Sequence, residues 1–441
     1  MDFHDAIIEF LGIQHVKIEE IKFSKKPMQV RITARQDRSE CFCDKCGVQF
    51  DGVKDWQRKE IKAPPLGIYS DAEIIYFQLR GVCETCQLSR MAETQWLHPE
   101  FKSMTCGFVE VAGRLMEEIT CEGVSRILHT DSMTMWRVDQ WRMKHMEKRL
   151  TLPENLDLSR LAADEVHFRT VENEKRKGPF DKRHLPEFVT NLVSPKHGKV
   201  LANCIGRDSE ALEDCLLKLS PEQLLKVKSF SVDMHEPFIS VIRSECPNAE
   251  ISIDRFHLAQ KVNEAFDKVR RAEFKKARDQ NDSFTEGMLE PHRRFILVAR
   301  EKDLTRTESK MLGKLRDINK EIHSAMLMVE YFHRALDKST VLSFRKALAA
   351  WYLLARESKL EPFLKVAKLI RRYRKEIEAY IKSGLTTAVA EGLNNKIKTL
   401  KRMAYGYSNP ESFLRKILQR CGYLNHNHIN TDDLYYRIST P

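Results

Sequence analysis

The chain has 441 residues, and 74 Lys and Arg against 63 Asp and Glu give it a formal charge of +11 and a pI near 9.0. That balance favours a polyanionic partner, nucleic acid ahead of a membrane surface, and the length is enough for about three domains, each with its own core. No run approaches the ~18 apolar residues of a membrane span, and the first residues, MDFHDAIIEFLGI, have no basic n-region or cleavage site, so an intracellular protein is expected. The eleven cysteines are spread thinly, which points to buried thiols and a metal site rather than disulfides.

Residues 1–100 alternate strand-like runs, such as QVRITARQ and AEIIYFQLRGV, with turn residues, and predict a compact β or mixed module. Two CxxC pairs lie inside it, Cys43 with Cys46 and Cys83 with Cys86, separated by 36 residues. Four thiolates in two chelating pairs are what tetrahedral zinc takes. Gly47 eases the first tight turn, and a β-hairpin can fill the gap between the pairs. Cys41 is a spare thiol able to stand in for Cys43.

Residues 101–150 become helical in three short segments. CEGVSRILHTDSMTMWRVDQWR has the rhythm of a helix-turn-helix, with the second helix capped by Ser132 or Thr134. That helix would carry Arg137 and Arg142 toward DNA, with Arg126 on the helix before it and Trp136 and Val138 set to pack.

Residues 151–268 hold five short apolar or alternating runs, LAADEVHFRTV, EFVTNLVS, KVLANCIG, KSFSVDM and AEISIDRF. Helical spacing in DSEALEDCLLKL and EPFISVIRSE separates the third, fourth and fifth, which gives an α/β reading with one mixed sheet. A charged loop around Lys175 to His184 interrupts the first two strands. Asp164 and Asp233 fall at or near the ends of the first and fourth runs. Glu165 rivals Asp164, but strand alternation puts the two on opposite faces. Asp254 follows the fifth run, with His257 one helical turn on, and this pair is expected to brace the site from farther out.

Residues 269–380 contain no strand-like run and predict an all-helical block. Residues 381–441 carry the remaining chemistry. AVAEGLNNKIKTLKR predicts a helix whose apolar stripe is Leu385, Val389, Leu393, Ile397 and Leu400. Its opposite side bears Glu391, Asn395, Lys398 and Arg402, with Lys401 beside them, so one face offers an acid to metal and bases to phosphate. Three convergent carboxylates, Asp164, Asp233 and Glu391, suit hard divalent cations, Mg²⁺ or Mn²⁺. A pair of such ions can serve an in-line displacement at a phosphodiester.

LAADEVHF, SVDMHEPFISVIRSECPNAEISIDRFHLAQKVNEAFDKVRR and AEGLNNKIKTLKRMAYGYSNPESFLRKIL resemble the DDE transposases of bacterial insertion sequences, the ISL-three group. The resemblance covers most of the chain and is sparse in the first 40 residues and in the helical block. It implies a multidomain α+β and α/β protein: a zinc-binding β module, a helix-turn-helix and an RNase H-like catalytic core interrupted by an all-α insertion. In such a sheet the first strand lies beside the fourth, so Asp164 and Asp233 become neighbours. Asp164, Asp233 and Glu391 would form the DDE triad, and Asp254 with His257 match the (C/D)xxH signature shared by several such transposase families. The implied partners are double-stranded DNA, as terminal inverted repeats and target, and a second copy of the chain. The implied setting is the bacterial cytoplasm at the nucleoid. A metal-dependent nuclease without strand transfer and a non-catalytic DNA-binding regulator are the rival readings.

Overall fold

The structure is a computed structural model and describes residues 2–168, 188–293, 297, 305–384, 388–407 and 409–431. The charged loop from Lys175 to His184, and Leu385 of the predicted apolar stripe, lie outside the described residues. The chain forms two compact units, Met1–Glu154 with Ile397–Pro441, and Asn155–Lys396.

The first unit opens with α1 (Phe3–Leu11), started by a capping box between Asp2 and Asp5 and stopped at Gly12 in the left-handed region. Five strands follow: β1 (Val16–Lys25), β2 (Met28–Gln36), β3 (Gly52–Ala63), β4 (Asp71–Cys83) and β5 (Leu88–Met91). They form one mixed sheet in the order β1-β2-β4-β3, with β5 on β4 and the β2–β4 pair parallel. Alternation along β2 and β4 buries Val30, Ile32, Ile74 and Tyr76 against Ile7 and Leu11 of α1.

Three helices come next, α2 (Cys106–Met116), α3 (Cys121–Ile127) and α4 (Ser132–Glu147), with Phe108, Val109, Val124, Met135 and Val138 in their common core. The cap of α4 differs from the predicted Ser132 or Thr134. Asp131 takes that place, its carboxylate accepting the Thr134 N–H at 2.7 Å. Trp136 also departs from expectation, since it is 45% exposed while Val138 is buried.

The second unit is built on β6 (Arg160–His167), β7 (Phe188–Ser194), β8 (Lys199–Ile205), β9 (Ser229–Val232) and β10 (Glu250–Ile253). Helices α5 (Ser209–Leu216) and α6 (Pro221–Leu225) lead into β9, and α7 (Glu236–Glu245) links β9 to β10. The sheet order is β10-β9-β6-β7-β8, antiparallel from β6 to β8 and parallel from β6 through β9 to β10. The first strand therefore lies beside the fourth. α5 packs on β7 and β8.

From β10 the described residues run into helices: α8 (Arg255–Asp279), α9 (Ser283–Met288), α10 (Arg306–Ile318), α11 (Lys320–Leu336), α12 (Val341–Ser358), α13 (Glu361–Arg372) and α14 (Arg374–Ser383). α8 continues unbroken across the expected boundary at 268/269. Trp351 of α12 is fully buried, donates to the Met328 carbonyl at 2.8 Å and packs on Phe332 of α11. α14 brings the chain back to the sheet along β10, with Arg243 paired to Glu376 at 2.6 Å and Lys382 to Glu250 at 3.0 Å.

α15 (Ala388–Met403) follows, then α16 (Pro410–Cys421), and the division between the units falls within α15. The sequence reading groups 381–441 with the core, whereas residues from Ile397 onward belong to the first unit. There α16 packs on α4, with Lys416 paired to Asp139 and Arg415 to Glu147, each at 2.7 Å.

Candidate active site and metal centres

The four predicted zinc ligands meet. The Sγ atoms of Cys43, Cys46, Cys83 and Cys86 all lie within 4.8 Å of one another, with Cys43 to Cys86 at 4.0 Å and Cys46 to Cys83 at 3.4 Å. A tetrahedral site with ~2.3 Å Zn–S bonds has edges of about 3.8 Å, so this set could hold a zinc ion. The hairpin β3–β4 fills the long gap, and Cys83 is the last residue of β4. Each knuckle turns through a left-handed residue directly after its second cysteine, Gly47 at φ 70° and Gln87 at φ 54°. A backbone hydrogen bond from Val48 brings the Cys46 thiol down to about 7, toward the thiolate a metal takes. Cys41 stays apart, buried with Leu79 and Ala92, and burial pushes its thiol up to about 11.

In the second unit the register sorts the acids. Asp164 of β6 faces Asn191 of β7, which faces Asn203 of β8, so the three share one face of the sheet. Ala162 pairs with Ser231, and Ser231 with Ser252, so Asp233 and Asp254, two residues further along, project from that same face. Asp233 and Asp254 directly follow β9 and β10, and Asp164 lies within β6, two residues past its last pairing with β9. Asn191 and Ser231 are fully buried, and Asn191 Nδ2, Asn191 Oδ1 and Ser231 Oγ all lack a hydrogen-bond partner.

Glu165 points the other way, as alternation predicts, with its carboxylate 3.8 Å from His235 Nδ1. Burial first, and then the charges of Asp164 and Asp233, push Glu165 up to about 7. Asp233 is met by the Met234 N–H at 2.6 Å and by His257 Nδ1 at 3.5 Å. His257 thus lies beside Asp233 rather than farther out. Asp254 caps α8, accepting the Phe256 N–H at 2.8 Å.

Glu391 lies exposed in the first turn of α15. The buried side of this helix carries Ala390, Ile397 and Leu400, with Val389 and Leu393 half-buried, close to the predicted stripe. Within that stripe sits a residue sequence reasoning passed over. Asn394, only 5% exposed, donates from Nδ2 to Asp164 Oδ2 at 2.7 Å. The signal was a lone carboxamide on an otherwise apolar face, which must find a partner when buried. This bond docks the first half of α15 on β6. Among the described residues only the cysteine set gathers three or more ligand atoms within 4.8 Å, so Asp164, Asp233 and Glu391 do not stand at shared-ligand distance.

The predicted DNA-facing cations separate into two groups. Arg126 and Arg137 are exposed, as are Lys398 and Arg402, with Lys401 half-buried. Arg142 does not join them: its side chain is fully buried, paired with Glu117 and, at 3.6 Å, with Glu110. Periodicity alone had placed Arg142 toward DNA, but the stem and guanidinium fill the space over Gly113, where an added Cβ would sit 2.3 Å from Arg142 Cδ. Arg142→Ala is therefore expected to lower the unfolding free energy by about 3–5 kcal/mol, because it removes the buried cation paired with buried Glu117 and empties the space over Gly113. Chemical denaturation measures this, and a loss below about 1 kcal/mol would mean the pair is screened like a surface one.

Comparison with known proteins places the chain in a family. The family model described as "Transposase", for the DDE transposases of the ISL-three group, matches residues 179–417. The match encloses Asp233, Asp254 and Glu391 and begins after Asp164. The transposase for insertion sequence element IS1001 of Bordetella parapertussis is 23% identical over 409 residues, covering 92% of this chain and 95% of that protein. The transposase for insertion sequence element IS1557 of Mycobacterium tuberculosis (strain CDC 1551 / Oshkosh) is 24% identical over 276 residues, covering 58% of this chain and 59% of its own length. The same IS1557 transposase from strain ATCC 25618 / H37Rv matches over the same shares. With the family match spanning more than half its length, the chain belongs to the DDE transposases of the ISL-three group.

Proposed function

We propose that this protein binds the terminal inverted repeats of its own insertion sequence and catalyses magnesium-dependent strand cleavage and strand transfer. One observation carries the reading: Asp164 and Asp233 leave adjacent parallel strands on one face, and α15, which bears Glu391, is docked on Asp164. The strand order supports an RNase H-like core, with α8 to α14 as its helical insertion.

Asp164, Asp233 and Glu391 are the residues that would hold Mg²⁺ or Mn²⁺, and the fit is chemical. Carboxylate oxygens are the hard donors these ions take. Bound there, divalent ions supply activation of the attacking oxygen and stabilisation of the leaving one. The chain's own part is to orient these carboxylates, with His257 steadying Asp233 and the sheet fixing the strand-borne pair. In the first step water attacks phosphorus and the P–O3′ bond breaks, freeing a 3′-OH. In the second, that hydroxyl attacks a target phosphodiester and displaces another 3′ oxygen.

Arg126 and Arg137 of the helix-turn-helix, with Lys398, Lys401 and Arg402, would contact phosphate or base edges, and such binding should weaken steeply with salt. Two DNA ends must meet in one complex, so a dimer or larger assembly follows. The test is a supercoiled plasmid carrying paired element ends, incubated with protein and Mg²⁺. Joined products with the ends inserted into new DNA are expected. Cleavage without joining would make the protein a nuclease, and end binding without cleavage would make it a regulator.

A further inference from the structure

We propose that Asn394 is a positioning residue that fixes the orientation of the Asp164 carboxylate for metal. The inference rests on the proposed catalytic role of Asp164 and adds a residue that the acidic motif does not contain.

Both oxygens of Asp164 are held. The Glu165 N–H reaches Oδ1 at 2.8 Å, and Asn394 Nδ2 reaches Oδ2 at 2.7 Å. The first contact comes from the strand that carries the acid, whereas the second comes from a residue 230 positions away in sequence. Asn394 Nδ2 also lies 3.5 Å from the Glu165 carbonyl, so its amide N–H₂ faces two acceptors. This settles which end of the amide points inward, because its oxygen there would meet only other oxygens.

At 5% exposed, Asn394 exchanges little with water, so this donor is not one that solvent replaces. A carboxylate has about four acceptor sites, more than these two hydrogen bonds use. Asn394 also stands three residues after Glu391 on the same helix, one turn along. One hydrogen bond therefore fixes the aspartate's plane and docks the turn that bears the glutamate. Groups that orient a metal-binding carboxylate in this way govern affinity for the ion as well as rate.

The test is Mn²⁺ binding to the DNA-free, zinc-loaded full chain, read from the paramagnetic resonance of free Mn²⁺. Asn394→Ala, and the near-isosteric Asn394→Leu, are each expected to weaken Mn²⁺ binding by roughly tenfold or more. Asp164→Asn is run beside them. Should Asp164→Asn lose the site while both Asn394 variants bind Mn²⁺ like the parent, the positioning role is overturned and the catalytic reading stands. Should Asp164→Asn bind Mn²⁺ unchanged, the metal-site reading itself fails and takes this inference with it. Loss of folding in both Asn394 variants, seen by circular dichroism, would make the residue a packing element and overturn the proposal too.

Discussion

Alanine at Asp164, Asp233 or Glu391 is expected to lower strand cleavage by roughly a thousandfold or more, while binding to end DNA persists. The magnitude follows from the several kcal/mol of charge stabilisation that a metal-holding carboxylate secures in phosphoryl transfer, at tenfold per ~1.4 kcal/mol. Two neighbouring acids provide the contrast. Glu165 lies on the opposite face of the sheet beside His235, so Glu165→Gln should leave most of the cleavage rate in place. Asp254 caps α8, so Asp254→Ala should cost ~1 kcal/mol of stability before it costs catalysis. Single-turnover cleavage of labelled end DNA, with a mobility shift on the same samples, separates these outcomes. If Glu165→Gln proved as damaging as Asp164→Ala, the front-face assignment would fail.

Removing metal from the cysteine cluster should have the second large effect. Structural zinc sites of this type contribute on the order of 10 kcal/mol of apparent binding energy at neutral pH. A strong chelator, or Cys43→Ser with Cys83→Ser, is expected to release one zinc per chain and to expose residues 41–50 and 83–91 to protease. The sheet itself should survive, because its main apolar cluster, built from α1, β2 and β4, contains none of the four cysteines. Metal release measured with a colorimetric chelator, alongside the far-ultraviolet spectrum, checks both halves. Collapse of the whole sheet on chelation would show that the module cannot hold together on its apolar core.

Legibility in the sequence followed the physics of each feature. The CxxC pairs were readable because chelation by two turns leaves a local spacing signature, and the five strands of the second sheet because short apolar runs sat between turns. Asp164 and Asp233 became neighbours through a pairing of the first strand with the fourth, which no local pattern encodes but which the family resemblance supplied. Arg142 shows the opposite case. Helical spacing cannot tell an arginine that reaches outward from one drawn down over Gly113 onto Glu117, since the choice lies with an acid 25 residues away. Asn394 escaped for a similar reason: its partner is far off in sequence, and a stripe read for hydrophobicity averages over the one position that breaks it. The cap of α4 was missed by a single residue because Asp131, Ser132 and Thr134 are all competent acceptors, and only backbone geometry selects among them.

Asn191 and Ser231, buried and unbonded on the face that bears Asp164 and Asp233, give the middle of this sheet an unusual economy. Each idle buried polar group forfeits on the order of 1–3 kcal/mol that an apolar residue of like shape would return. The fold is thus less cohesive beside its acids than its topology allows. A variant library selected only for heat resistance would be drawn to these two positions first. It would harden a region whose composition departs from what cohesion alone would choose.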